Sequence, residues 1–525
     1  AVDQINGGSG VDTLYVETDT VNVNLATQTN LEIIQINAAQ ADQTIVVTLA
    51  SDKDYTNLAS VNSLGNVTFN DIKNAAVTAS LVSTAALKTT ILDYAATTLT
   101  GSADTLSVTL NASDGNLDIT GGTASNALET VSLNSIANST LLSLDLSNAN
   151  TTTLNITGAG DTTITSIDGA AATLNTIDAS TATGGVSVTG VNVKANTITG
   201  GSGNDAITGA AGNDTISTGA GDDTVTGAAG NDNITLGAGN DTLVIATASQ
   251  VDKDDVIDGG AGTDTLELTG TLDYVSTTSP ITNDASGITG FEILKSGGTV
   301  TQNMTGLAGI TAISIGAHAV TLTKDTAIAD ITLTGSSSTT KIDSAVAQTV
   351  TLSGGTAAAP TNVTGASFTS GAAALTVVSA GDGSNTVTLA GKSITGITVT
   401  GAEDIGVTAS ASKVLATADF SGTTGDISLS AGTSAVALTF TPGSGQVTAL
   451  TTGKGADTIT LTAAADTVTA TGAGDDTITA GAGNDTITST GAGNDTINLG
   501  AGDDTVTDSG AGNDIITGGA GNDTI

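Results

Sequence analysis

The chain has no cysteine and no tryptophan, its 11 basic residues include no arginine, and its 525 residues hold one histidine and three prolines. Without cysteine there are neither disulfides nor thiolate metal sites, so an exported protein of this kind needs some other staple. One histidine cannot make H-E-x-x-H, and no G-x-S-x-G elbow has partners, so the sequence reads as a non-enzyme. His318, in "IGAHAV", is read as a strand residue, and "GKS" at Gly391–Ser393 fails as a phosphate-binding loop because Thr386 stands where glycine is required. With 52 acidic residues the formal charge is −41, which excludes nucleic acid as a partner, disfavours an anionic membrane surface, and predicts a demand for cations. No apolar run approaches about 18 residues, so no membrane-spanning helix is expected. Five Phe and four Tyr would fill a globular sandwich core poorly, whereas stacked solenoid coils need only small aliphatic residues inside.

What is present is repetition at two scales. From Gly200 to Leu243 the sequence repeats a nonapeptide five times, with Asp205, Asp214, Asp223, Asp232 and Asp241 each followed two positions later by Ile207, Ile216, Val225, Ile234 or Leu243. A second block runs from Asp457 through Asp466, Asp476, Asp485, Asp495, Asp504 and Asp514 to Asp523; its same-edge step is 19, because one turn per coil gains a residue, Thr471, Thr490 or Ser509. On the longer scale, "DQINGGSGVDTL" (Asp3 to Leu14) overlays "DVIDGGAGTDTL" (Asp255 to Leu266), placing Asp3 and Asp255, Gly7 and Gly259, and Asp12 and Asp264 all 252 apart, as Asp205 and Asp457 also are. The chain therefore reads as two tandem modules of about 252 residues. Its expected parts are the end of a repeat coil (1–15), a Thr/Ala-rich solenoid (16–195), a first repeat block (196–268), a second Thr/Ala-rich solenoid (269–452) and a second block (453–525). The Thr/Ala-rich stretches show period-two alternation, as in "SITGITVTG" (Ser393 to Gly401), which predicts many short strands; Ser51–Leu64 is the stretch expected to hold a short helix. The chain starts without methionine and stops within a repeat, which suggests a piece or processed product with room for an export signal outside it.

Each nonapeptide, G-G-x-G-x-D-x-U-x, divides into a six-residue turn and a three-residue strand with one buried aliphatic residue at U, and two units make a coil. The glycines suit turns at positive φ with carbonyls pointing inward. Aspartates then stack, Asp205 over Asp223 over Asp241 on one edge and Asp214 over Asp232 on the other. Coils in a parallel sheet lie about 4.8 Å apart, so stacked carboxylates would repel by roughly 3 kcal/mol at an effective dielectric near 20. An oxygen-only, flexible shell resolves this with calcium, where magnesium prefers a tight octahedron and keeps its waters. The coil of Asp466, with Ala463, Ala464 and Ala465 in the turn, is the weakest such site. Glu32, Glu129, Glu292 and Glu403, in apolar settings, are expected at coil edges or caps, with additional calcium ligation as the alternative.

These motifs resemble the RTX (repeats-in-toxin) nonapeptides, and the Thr/Ala-rich, base-poor stretches between them resemble RTX-type bacterial surface-layer proteins. The resemblance implies an all-β parallel β-roll or β-solenoid with multiple bound Ca2+ and secretion by a type I system. It carries the ligand role over to Asp205, Asp214, Asp223, Asp232, Asp241, Asp457, Asp476, Asp485, Asp495, Asp504, Asp514 and Asp523, and to the isolated turns at Asp3, Asp12, Asp255 and Asp264. The same transfer covers Gly203, Gly212, Gly221, Gly230 and Gly239, and Asn204, Asn213, Asp222, Asn231 and Asn240, the last group giving mainly backbone carbonyls. The expected role is a secreted calcium-binding structural protein, self-assembling into a homo-oligomeric lattice or filament at the bacterial cell surface, with any polysaccharide anchor outside this sequence. The alternatives are the stalk of a large RTX adhesin or the tail of an RTX exoenzyme.

Overall fold

A computed structural model describes residues 6–525 apart from short stretches, the longest being 122–127, 274–286 and 355–365. Asp3, His318 and the Gly391–Ser393 stretch lie outside the described residues. The chain divides into two compact units, the first mainly Ala1–Ile245 with Ser249–Thr265, the second mainly Phe291–Ile525. Both are all-β parallel solenoids in which successive strands go alternately to two sheets.

In the first unit one sheet runs from Thr13–Thr18 through Ile33–Ala38, Asn57–Val61 and onward to Asn233–Ala238 and Val256–Ala261, every pairing parallel. The facing sheet takes the intervening strands, such as Ala206–Thr208, Thr224–Thr226 and Thr242–Ile245. The second unit repeats the arrangement, with Thr458–Thr460, Thr477–Thr479 and Thr496–Asn498 on one sheet and Thr467–Ala470, Thr486–Ser489 and Thr505–Asp508 on the other. Strands are short because each needs only one or two inward side chains. The three-residue repeat-block strands at Val225, Ile459 and Ile478 are buried at their middle residue alone, while the longer Thr215–Ala220 buries Ile216 and Thr218. Register then aligns like with like: Ile216 on Ile234 on Ile257, and Ile459 on Ile478 on Ile497. A one-residue slip would turn every aliphatic to solvent and every threonine inward, which fixes the stacking.

Among the described residues of Ser51–Leu64, which begin at Tyr55, the expected helix is not formed: Asn57–Val61 is a strand, hydrogen-bonded between Ile33–Ala38 and Thr78–Val82. With Leu58, Ala59 and Ser60 all buried, pairing on both sides and burial outweigh the local preference.

Candidate calcium sites

The repeat turns are built by glycine. Gly237 and Gly239 hold φ of 106° and 144°, in the left-handed region, and a Cβ on Gly239 would run into the Gly221 carbonyl oxygen of the coil beneath. The turns therefore stack backbone on backbone, bringing each coil's aspartate onto the next.

An inner ladder results. The Asp205 N–H donates to Oδ1 of Asp223, Asp223 to Asp241, and Asp241 to Asp264, each at 2.8 Å. On the opposite edge Asp214 donates to Asp232 at 2.8 Å and Asp232 to Asp255 at 2.6 Å. In the second unit the ladders run Asp457–Asp476–Asp495–Asp514 and Asp466–Asp485–Asp504–Asp523, with N–H to Oδ1 distances of 2.8 to 3.2 Å. From Asp205 to Asp264 and from Asp457 to Asp504 these residues are no more than 4% exposed, whereas Asp514 is exposed.

Oδ1 is thus committed to the backbone, and the distinction among sites lies in Oδ2. At Asp12, Asp223, Asp241, Asp485 and Asp504, Oδ2 is buried and accepts no hydrogen bond; at Asp223 the neighbouring Thr218 hydroxyl donates instead to the Leu236 carbonyl. At Asp205, Asp214 and Asp466, Oδ2 accepts an N–H from its own turn, from Gly201, Ala210 and Thr462. Burial pushes the Asp205, Asp241, Asp476 and Asp485 carboxyls up to about 6, and it also raises Asp214, Asp223 and Asp457. A buried carboxylate oxygen without a donor is costly, and a cation relieves both the missing partner and the stacked charge. Among the described residues no three acidic, histidine or cysteine side chains converge, so an ion here would draw on carboxylates together with turn carbonyls. That donor set, all oxygen, suits calcium.

Of the glycines named from sequence, Gly212, Gly221, Gly230 and Gly239 hold φ of 151°, 122°, 157° and 144°; Gly203 is not in the left-handed region. Asn204, Asn213, Asp222 and Asn240 form a second, outer ladder that sequence reasoning missed. Their Oδ1 atoms accept the N–H groups of Asp222, Asn231, Asn240 and Thr263 one coil on, at 2.8 to 3.0 Å. It also links Asn138, Asp161 and Gly185 in the Thr/Ala-rich coils, and Asp404, Asp426 and Gln446 in the second unit. The glutamates of the first unit are inner-ladder residues: Glu32 accepts the Asp12 N–H and Glu129 the Asp104 N–H, both at 2.8 Å. The apolar flanks "LEII" and "LETV" were the sequence signal for these coil-edge positions.

Stacked glycine turns closed by ladders of buried aspartate define a calcium-binding parallel β-roll. The profile described as "RTX calcium-binding nonapeptide repeat (4 copies)" matches residues 2–19, 193–216, 208–243, 252–270, 470–506 and 508–525, so the chain carries RTX calcium-binding repeats in these segments. Asp457 and Asp466, beside the alanine-substituted turn, fall outside the matched residues. No curated protein matches the chain.

Proposed function

We propose that the chain is a secreted structural protein whose coils fold on meeting extracellular calcium and assemble into a cell-surface layer or filament, without catalysis of its own. The observation that supports this is the stack of buried aspartates whose Oδ2 atoms lack a protein donor, in a chain of net charge −41. A charge of that size opposes both folding and association. Calcium at the extracellular range of roughly 10⁻⁴ to 10⁻³ M affinity would neutralise it where exported proteins meet the ion. Each ion bound only by the folded coil adds RT ln(1 + [L]/Kd) of stability. Residues left acidic at the surface, such as Asp222 and Asp503 on the outer ladder, then offer places for calcium to bridge neighbouring copies. Transport by type I machinery as an unfolded, metal-free chain and retention by a surface polysaccharide belong to the same reading.

The test is a calcium titration of the EGTA-stripped protein, followed by far-UV circular dichroism and light scattering, with magnesium as control. Gain of β signal followed by ordered arrays under the electron microscope supports the layer or filament. Folding without association points to a spacer in an adhesin or to the tail of an exoenzyme. A chain folded in EGTA and indifferent to calcium overturns the proposal.

A further inference from the structure

In most of the described repeat turns the conformation at the second repeat position goes with the state of the aspartate Oδ2; the exception is Asp457, whose Oδ2 lacks a hydrogen bond although Gly453 is not left-handed. In the turns of Asp12, Asp223, Asp241, Asp485 and Asp504 that position is Gly8, Gly219, Gly237, Gly481 or Gly500, with φ of 94°, 106°, 106°, 101° and 92°, and the aspartate Oδ2 accepts no hydrogen bond. In the turns of Asp214 and Asp466 the position is Ala210 or Thr462, neither of them left-handed. There the position's own N–H donates to Oδ2 at 3.2 and 2.8 Å, and the Thr462 hydroxyl adds a second donor at 2.9 Å. Gly201 is not left-handed either, and its N–H likewise closes onto Asp205 at 2.8 Å. A left-handed residue turns its amide away from the carboxylate, whereas an L-residue with a Cβ resists that rotation. An N–H held within 3.2 Å of Oδ2 places the positive end of a peptide dipole where a cation would approach.

We infer that calcium loads only the open turns, so that in the first unit the Asp223–Asp241–Asp264 edge carries metal while on the opposite edge the Asp214 turn is stapled by its own backbone. The inference rests on the calcium reading above and refines it. The backbone of the Asp264 turn belongs to the open class, with Gly260 and Gly262 at φ of 101° and 151°. Across the first block, glycine and alanine alternate at the second position (Gly201, Ala210, Gly219, Ala228, Gly237), so the sequence itself assigns the two edges different tasks. One edge responds to calcium; the other holds the coils in register before it arrives. Gly201 retains the freedom to open, which Ala210 and Thr462 lack.

Equilibrium dialysis of the full chain at saturating calcium, with the metal counted by atomic absorption, tests the assignment. Asp241→Asn is expected to lower the number of ions bound, Asp214→Asn to leave it unchanged, and the paired Ala210→Gly/Ala228→Gly variant to raise it by one or more. Equal losses from Asp241→Asn and Asp214→Asn would overturn the inference while leaving the calcium reading intact. Zero ions on the unmodified chain would overturn the calcium reading itself. Should Asp214→Asn fail to fold, anomalous scattering from calcium in crystals of the unmodified chain decides: peaks along the Asp223–Asp241 edge alone support the inference, and peaks along both edges refute it.

Discussion

Replacing Asp241 by asparagine should move stability in opposite directions with and without calcium. The substitution keeps an Oδ1 to accept the Asp223 N–H and removes the charge. In the metal-free coil that charge is a liability: burial first, then the neighbouring Asp223, Asp264 and Asp222 carboxylates, push the Asp241 carboxyl from 3.8 to about 6. A group whose folded pKa is raised contributes stability below its unfolded pKa and loses it as pH rises through the folded value. At pH 7 the folded chain therefore bears a penalty of roughly 3 kcal/mol at this residue. Asp241→Asn removes the penalty and should stabilise the EGTA form by up to about that amount. In calcium the sign reverses, because the variant forfeits ligation worth about 2.7 kcal/mol at a calcium concentration 100 times Kd. Urea unfolding monitored by circular dichroism at pH 7.4, in EGTA and in excess calcium, reads both shifts. If the EGTA form is unfolded without denaturant, the midpoint of refolding in an excluded osmolyte replaces the urea midpoint. A variant destabilised under both conditions would show that Asp241 acts as a packing or hydrogen-bonding residue, refuting the account of the ladder as stored charge.

The same sign governs pH. Without calcium the folded form should gain stability as pH falls from 7 to 4, since Asp205, Asp241, Asp476 and Asp485 titrate near 6, whereas the apparent calcium affinity should drop through that interval; chelator competition at stepped pH reads the second effect. Gly239→Ala should destabilise the coil by more than the roughly 1 kcal/mol of an ordinary left-handed alanine, because its Cβ meets the Gly221 carbonyl and stacking must open; thermal unfolding in calcium measures it. Asn204→Ala, which removes an exposed outer-ladder bond to the Asp222 N–H, should cost about 1 kcal/mol and leave the number of bound ions unchanged by dialysis. Ile234→Ala, at a residue 1% exposed, should cost about 2–5 kcal/mol in urea unfolding whether or not calcium is present.

Sequence shows the repeat blocks because there the coil has a constant length: ladder partners are 18 apart in the first block and 19 in the second. Elsewhere the same contact spans 20 residues from Asp12 to Glu32, 25 from Asp104 to Glu129, and 23 from Asp232 to Asp255, so no fixed period marks it. Turns absorb such insertions at the solenoid edge while the inward aliphatics keep register, which hides the coil from any search for a repeat length. The outer ladder was invisible for a related reason: Asn138, Asp161 and Asn204 are ordinary turn residues until the neighbouring coil supplies the N–H that each accepts or donates.

What the structure adds is that the ladder is a position before it is a residue. On one edge of the first unit, successive coils fill it with Glu129, Thr152, Asn175, Asn196, Asp214 and Asp232, each backbone carbonyl receiving the N–H that follows the next coil's occupant. A hydroxyl, an amide or a carboxylate can stand there because the backbone pairing does not depend on the side chain. Aspartate leaves a second oxygen over, and beside the left-handed Gly237 that oxygen stays without a donor at Asp241, whereas at Asp214 the Ala210 N–H meets it. Metal dependence is therefore the product of two local choices within one coil frame, the charged occupant and the glycine four residues before it. A stretch carrying the first without the second keeps the fold and gives up the site, so calcium demand should track the count of such pairs rather than the count of aspartates.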